Sequence, residues 1–153
     1  MMEQNSSVYS PEMAYELGML ADAAYNQAKI GDCMEALGMD GYMLDNYVRS
    51  ALTGQVGYSI GYKKSVNNEP FDVVIVSIRG TYNDDGISDI LRDANLGTGL
   101  WYGVHTGFYA AASEVFSNLN MYLKDVGVGE NGRNVKYAIT GHSLGAGTAN
   151  LLE

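Results

Sequence analysis

The stretch Val135-Lys136-Tyr137-Ala138-Ile139-Thr140-Gly141-His142-Ser143-Leu144-Gly145-Ala146-Gly147 constrains the fold more than any other. An apolar, strand-like run leads into Gly-x-Ser-x-Gly, and small residues suited to a helix follow. Alone, the five-residue pattern reads as a glycine-rich turn with an incidental serine. With strand before it and helix after it, it reads as a nucleophile elbow, a tight turn that lifts the Ser143 hydroxyl clear of its neighbours. Gly141 and Gly145 stand where such a turn brings backbone segments too close for a Cβ. A helix beginning near Leu144 points its first N–H groups at any negative charge that develops beside Ser143.

Upstream, Ser10-Pro11-Glu12 reads as a helix start, with Ser10 at the N-cap and Pro11 at the first helical position. Met13, Leu17, Leu20, Ala24 and Ala28 recur at three- and four-residue steps, which predicts one helix to about Lys29. A weaker helix is predicted over 41–52, with Leu44, Tyr47, Val48 and Ala51 facing inward. Residues 56–62 (VGYSIGY) alternate strictly, as a strand with one buried face does. The polar stretch 63–70 is a loop. Residues 72–78 (DVVIVSI) are nearly all apolar and β-branched, as in a central strand covered on both faces. His105-Thr106-Gly107 then opens a helix whose apolar stripe is Phe108, Ala112, Val115, Leu119 and Leu123. Residues 127–132 form a turn, with Asn131-Gly132 its strongest signal.

Strand, helix, strand, helix in this order implies a β-α-β crossover with parallel strands. The expected fold class is therefore α/β, with a mixed, mostly parallel sheet flanked by helices. Ser143 falls at the carboxyl end of a central strand, where such sheets place their ligands. The 153 residues fit a single domain, 1–153, without repeats or an interdomain linker.

Charge narrows the function. The net charge is −9 and no basic cluster occurs, which disfavours nucleic acid and anionic membrane surfaces as partners. The single cysteine, Cys33, excludes an internal disulfide framework and a cysteine-built metal site. Residues 1–10 are polar and no apolar run approaches a membrane span, so no signal peptide or transmembrane segment is read and the localisation stays open.

Three separated segments, Val74-Ile75-Val76-Ser77-Ile78-Arg79-Gly80-Thr81, Val104-His105-Thr106-Gly107-Phe108-Tyr109 and Thr140-Gly141-His142-Ser143-Leu144-Gly145, resemble the fungal-type (class 3) lipase family of the α/β-hydrolase superfamily in order and approximate spacing. The resemblance covers the second half of the chain well and the amino-terminal helices loosely. It implies a carboxylic ester hydrolase, a lipase or esterase for triacylglycerols or related lipid esters, working through an acyl-serine intermediate without metal or cofactor. Carried onto this sequence, Ser143 is the nucleophile, and the backbone N–H groups of Thr81 and Leu144 form the oxyanion hole. Gly141, His142 and Gly145 support the elbow. Physics agrees that a tetrahedral intermediate needs two donors aimed at one oxygen, and losing one typically costs ~3 kcal/mol of barrier. Thr81 can also be read as a plain strand-ending turn residue.

Residues 82–100 fall where the family carries its lid or a shortened loop, with Asp89 and Asp93 matching acidic positions. A fixed surface helix is the preferred reading there. The spacing of Asp84, Asp85, Asp89 and Asp93 does not form a known calcium loop.

A serine hydrolase also requires a histidine base, and in this architecture the order is Ser, then Asp or Glu, then His. His142 adjoins the nucleophile on a sharp turn and is read as a packing and hydrogen-bonding residue of the elbow; His105 is read as structural. The residues after Ser143 hold no histidine, and Glu153 is their only acid. The expectation is an incomplete α/β-hydrolase fold, the amino-terminal part of a longer enzyme, with too few residues for the triad. Two alternatives stand beside it: a non-catalytic binding or assembly module that keeps the elbow as a fold element, and self-association through an unfinished sheet edge.

Overall fold

The computed structural model describes residues 10–45, 56–65, 70–80, 100–101 and 104–152. Its centre is the strand β3, Phe71–Ile78, in which every residue is buried. The preceding strands are β1, Gly41–Asp45, and β2, Tyr58–Lys63; the strand that enters the elbow is β6, Asn134–Gly141. They form a four-stranded sheet in the order β1-β2-β3-β6, and the short strands β4, Leu100–Trp101, and β5, Val104–His105, pair separately.

The helices are α1, Pro11–Ala23; α2, Gln27–Ala36; α3, Thr106–Asp125; and α4, Leu144–Ala149. β3 sorts its side chains by period two. Val74, Val76 and Ile78 pack with Tyr58 and Ile60 against Ala111, Val115, Leu119 and Leu123 of α3 and Ala149 of α4. Phe71, Val73 and Ile75 point the other way, onto Leu20, Ala23, Ile30 and Met34 of α1 and α2. This is the helix–sheet–helix sandwich of an α/β fold, and the all-apolar run 72–78 has its physical reason in two covered faces.

The sheet is mixed as expected, with a different balance among the described strands. β1–β2 and β2–β3 are antiparallel, and only β3–β6 is parallel. Only that last pair is connected through a long helix, which parallel strands require.

Other expectations are corrected. The helix predicted to Lys29 breaks at Ala24: Asn26 turns its side chain onto the N–H groups of Ala28 and Lys29 and caps a second helix. Ala28, read as inward, is exposed. Ser10 caps α1 as predicted, accepting from the N–H of Met13 at 3.2 Å. Residues 41–45 are a strand, not the start of a helix, because Gly38 closes α2 in the left-handed conformation (φ 65) and Gly41 pairs with Tyr62. Tyr47, Val48 and Ala51 of that prediction lie outside the described residues.

β2 buries both faces rather than one, since Tyr58, Ser59, Ile60 and Gly61 are all buried. The small face is what lets α2 approach: a Cβ on Gly61 would come within 2.7 Å of Met34 Sδ. The helix stripe on α3 is as predicted, with Ala111 added to its buried side and Phe108 half-buried; His105 falls just before the helix. Asn131 takes a left-handed conformation in the predicted turn (φ 57).

Candidate active site

Two carboxyl strand ends meet at the site. β3 and β6 run in register, Ser77 opposite Thr140 and Ile78 opposite Gly141, so Arg79-Gly80 and His142-Ser143 leave the sheet side by side. Ser143 has φ 55 and ψ −122 and serves as N-cap residue of α4. That conformation is sparsely populated for a residue bearing a Cβ and persists only where the surroundings impose it. The turn then closes tightly: Gly145 N–H donates to the carbonyl of His142 at 2.9 Å, and Ala146 N–H to that of Ser143 at 3.0 Å. Ser143 is exposed.

The glycines explain how the strain is held. A Cβ on Gly141 would lie 2.5 Å from the carbonyl carbon and oxygen of Gly145, and 2.9 Å from the nitrogen of Ala146. A Cβ on Gly145 would strike the Ile78 carbonyl. Both obstacles are backbone and cannot rotate away. The elbow is thus pressed against itself and against the end of β3, and the serine is the residue left projecting. Leu144, at the first position of α4, has an N–H without an acceptor inside its own helix by the geometry of helix starts.

Gly80 brings the second segment to the serine. A Cβ there would sit 2.5 Å from the carbonyl oxygen of His142 and 3.2 Å from Ser143 Cβ. Thr81, the next residue and the other oxyanion candidate, lies outside the described residues. So do residues 82–99, including Asp84, Asp85, Asp89 and Asp93 and the stretch read as a lid or a fixed helix.

His142 is exposed, and its Nδ1 lies 2.8 Å from the Tyr25 hydroxyl. The two rings meet edge to face, 5.8 Å between centroids at 67°. The phenol oxygen also lies against Gly80, where a Cβ would run into it. Burial pushes the Tyr25 phenol above its ordinary value of 10.0, against the opposing pull of the Gly80 N–H and the Arg79 charge. Tyr25 was not among the residues the sequence singled out. It stands in the break between α1 and α2, and the only local signal for that break is the capping Asn26.

Helix α1 is itself fastened to the strand ends that carry the site. Ser77 Oγ donates to the carbonyl of Leu20, and Thr140 Oγ1 to that of Leu17, each at 3.0 Å. Among the described residues no group of histidine, cysteine and carboxylate side chains could hold a metal ion. No helix among them is long and apolar enough to cross a membrane.

The family model described as Lipase (class 3) matches residues 75–153, from the middle of β3 through the elbow and α4. No match was found among curated proteins or among solved structures.

Proposed function

The chain belongs to the class 3 lipase family, a family of lipase and esterase hydrolases, and from that premise we propose that Ser143 is the nucleophile of a carboxylic ester hydrolase acting on lipid esters. The observation that carries this reading is the backbone of Ser143, φ 55 and ψ −122 between β6 and α4, with the side chain outward and Gly80 against it. In this reading Ser143 Oγ attacks the ester carbonyl carbon, and the hydroxyl proton passes to a base. The carbonyl oxygen becomes an oxyanion held by the N–H groups of Leu144 and Thr81. Collapse breaks the bond to the alcohol, which leaves protonated, and water then hydrolyses the acyl-serine by the same steps. The substrate class, triacylglycerols or related lipid esters, is carried from the family.

The base is assigned to neither histidine of the sequence. His142 Nδ1 is engaged by Tyr25, and adjacent side chains on a sharp turn diverge, so its ring is a support of the elbow. The 153 residues tested alone are therefore expected to turn over p-nitrophenyl esters weakly, with what rate there is supplied by the oxyanion donors. Strong turnover abolished by Ser143→Ala would overturn that expectation and leave the nucleophile standing.

A fluorophosphonate probe tests the nucleophile directly: the Ser143 oxygen forms a bond to phosphorus and fluoride leaves. Labelling at Ser143, absent in Ser143→Ala, supports the hydrolase. A folded protein that takes no label in any form, including a longer one, would instead be a binding module that keeps the elbow as scaffold.

A further inference from the structure

We propose that Tyr25 is a positioning residue of the acyl-transfer site, tying the end of β3 to the elbow through its phenol oxygen; this rests on the reading of Ser143 as the nucleophile. An oxyanion hole works only when its donors are aimed at one oxygen. Its two donors come from different segments, here the one after Gly80 and the one after Ser143, and nothing in a parallel pair of strands joins those segments once they leave the sheet. β3 and β6 share backbone hydrogen bonds through their register up to Ile78 and Gly141. Beyond that point their spacing must be set by something else.

Tyr25 occupies that place. Its hydroxyl is 2.8 Å from Nδ1 of His142 in the elbow, and the same oxygen lies against Gly80 at the end of β3, on the side a Cβ would occupy. One oxygen thus touches both segments, bonded to His142 and packed on Gly80, and the edge-to-face contact of the rings limits how His142 can turn. The fit leaves no room for slack, since a Cβ on Gly80 would run into the Tyr25 oxygen itself.

Tyr25 is in turn held by the scaffold. The chain turns on the N–H of Asn26, which donates to the Ala23 carbonyl at 2.9 Å, and Asn26 caps α2. α1, which leads into this turn, is bonded at Leu17 and Leu20 to Thr140 and Ser77, two residues paired across the strands. The same two strand ends that present Gly80 and Ser143 therefore also fix the helix that presents Tyr25. Removing the phenol oxygen leaves the ring packing in place and frees Gly80 to drift from the elbow. A donor displaced by a fraction of an ångström costs rate, because the oxyanion is stabilised only where the donors are aimed.

The test compares wild type with Tyr25→Phe, and with Tyr42→Phe as a control whose hydroxyl bonds to Glu35 on α2, away from the site. Two readouts are taken. The first is the rate of fluorophosphonate labelling at Ser143 against probe concentration, followed by intact mass. Tyr25→Phe is expected to lower the maximal rate about tenfold while the half-saturating concentration stays within about twofold and the melting temperature barely moves. Tyr42→Phe should leave the rate unchanged. The second is amide exchange by NMR, in which Gly80 should exchange about tenfold faster in Tyr25→Phe while the amides of residues 73–77 keep their protection.

An unchanged labelling rate in Tyr25→Phe, in a protein whose Ser143 is labelled, would overturn the positioning role and leave the hydrolase reading intact. Unchanged Gly80 exchange would overturn the tie to Gly80 by itself. Wild type that is never labelled at Ser143 would overturn the hydrolase reading, and the role of Tyr25 with it.

Discussion

At the scale of single residues, the elbow turns on what a Cβ would meet. Gly145→Ala puts a methyl group against the carbonyl of Ile78 and 3.0 Å from the carbonyl carbon of Arg79, all of it backbone at and just past the end of the central strand. Either α4 or the end of β3 must shift. The expected cost is about 1–3 kcal/mol, read as a lower urea midpoint, together with loss of Ser143 labelling. Gly18→Ala supplies the opposite sign. Gly18 lies inside α1, nothing stands within 4 Å of a Cβ there, and alanine in a helix interior is better than glycine by roughly 0.5–1 kcal/mol. A urea midpoint that falls for Gly18→Ala, or holds for Gly145→Ala, would contradict this account of which glycines are required. The contrast also separates what a sequence carries locally from what only the fold brings together. Ser143, Gly141 and Gly145 announce themselves because a turn imposes its demands within five residues. Tyr25 does not, since its partner His142 is 117 positions away and nothing in either neighbourhood refers to the other.

At the scale of elements, β3 is held at both ends by side chains as well as by its ladder. At its carboxyl end the hydroxyls of Ser77 and Thr140 fasten α1; at its start Asp72 gathers two loops. The Asp72 carboxylate is fully buried and accepts from Arg133 Nε at 2.7 Å, from the Gly129 N–H at 2.9 Å and from the Ser65 N–H at 3.1 Å. Burial alone would push this carboxyl up, but the Gly129 N–H, the Arg133 guanidinium and the Ser65 N–H outweigh it and hold it below the ordinary 3.8. The sign follows: a carboxyl whose acidity is raised by folding adds stability that is complete above its unfolded value and is lost as pH falls through its folded one. Asp72→Asn should therefore be less stable than wild type at neutral pH, and the two urea midpoints should converge as the pH drops below about 4. Midpoints that stay equally far apart down to acid would rule out ionisation as the source. Elements were legible where one pattern ruled, as on α3 and β3. They were misread at 41–45, where Leu44 fits a helical spacing and the strand is imposed from outside by pairing with β2. They were misread again at Ala24, where a continuing apolar stripe hid the break at Asn26.

At the scale of the whole molecule, charge decides how far the fold can be pushed toward alkali. Acids outnumber bases by 18 to 9, so the chain already carries net charge −9, and it holds 12 tyrosines that each add a negative charge when they ionise. Tyr58 resists ionisation most. It is fully buried, and its hydroxyl donates to Asp45 Oδ2 at 2.8 Å and accepts from Asn118 Nδ2 at 2.5 Å. Burial first, and the Asp45 carboxylate second, push this phenol far above its ordinary value of 10.0, outweighing Asn118. Burial likewise raises Tyr25 and Tyr122. A group whose folded value is raised contributes stability that is full below its unfolded value and is lost as pH rises toward its folded one. Thermal midpoints should therefore hold level from neutral pH to about pH 10 and fall above it, and added salt should soften the fall by screening the accumulating charge. Tyr58→Phe separates the buried phenol from the surface. At neutral pH it should cost about 1–3 kcal/mol, because Asp45 loses one donor and Asn118 one acceptor in a partly buried setting. Above pH 10 its midpoint should fall less steeply than that of wild type, since the mutant has one fewer proton to release on unfolding. Parallel curves for the two proteins would mean that Tyr58 carries none of the alkaline sensitivity, and that the surface charge alone sets the limit.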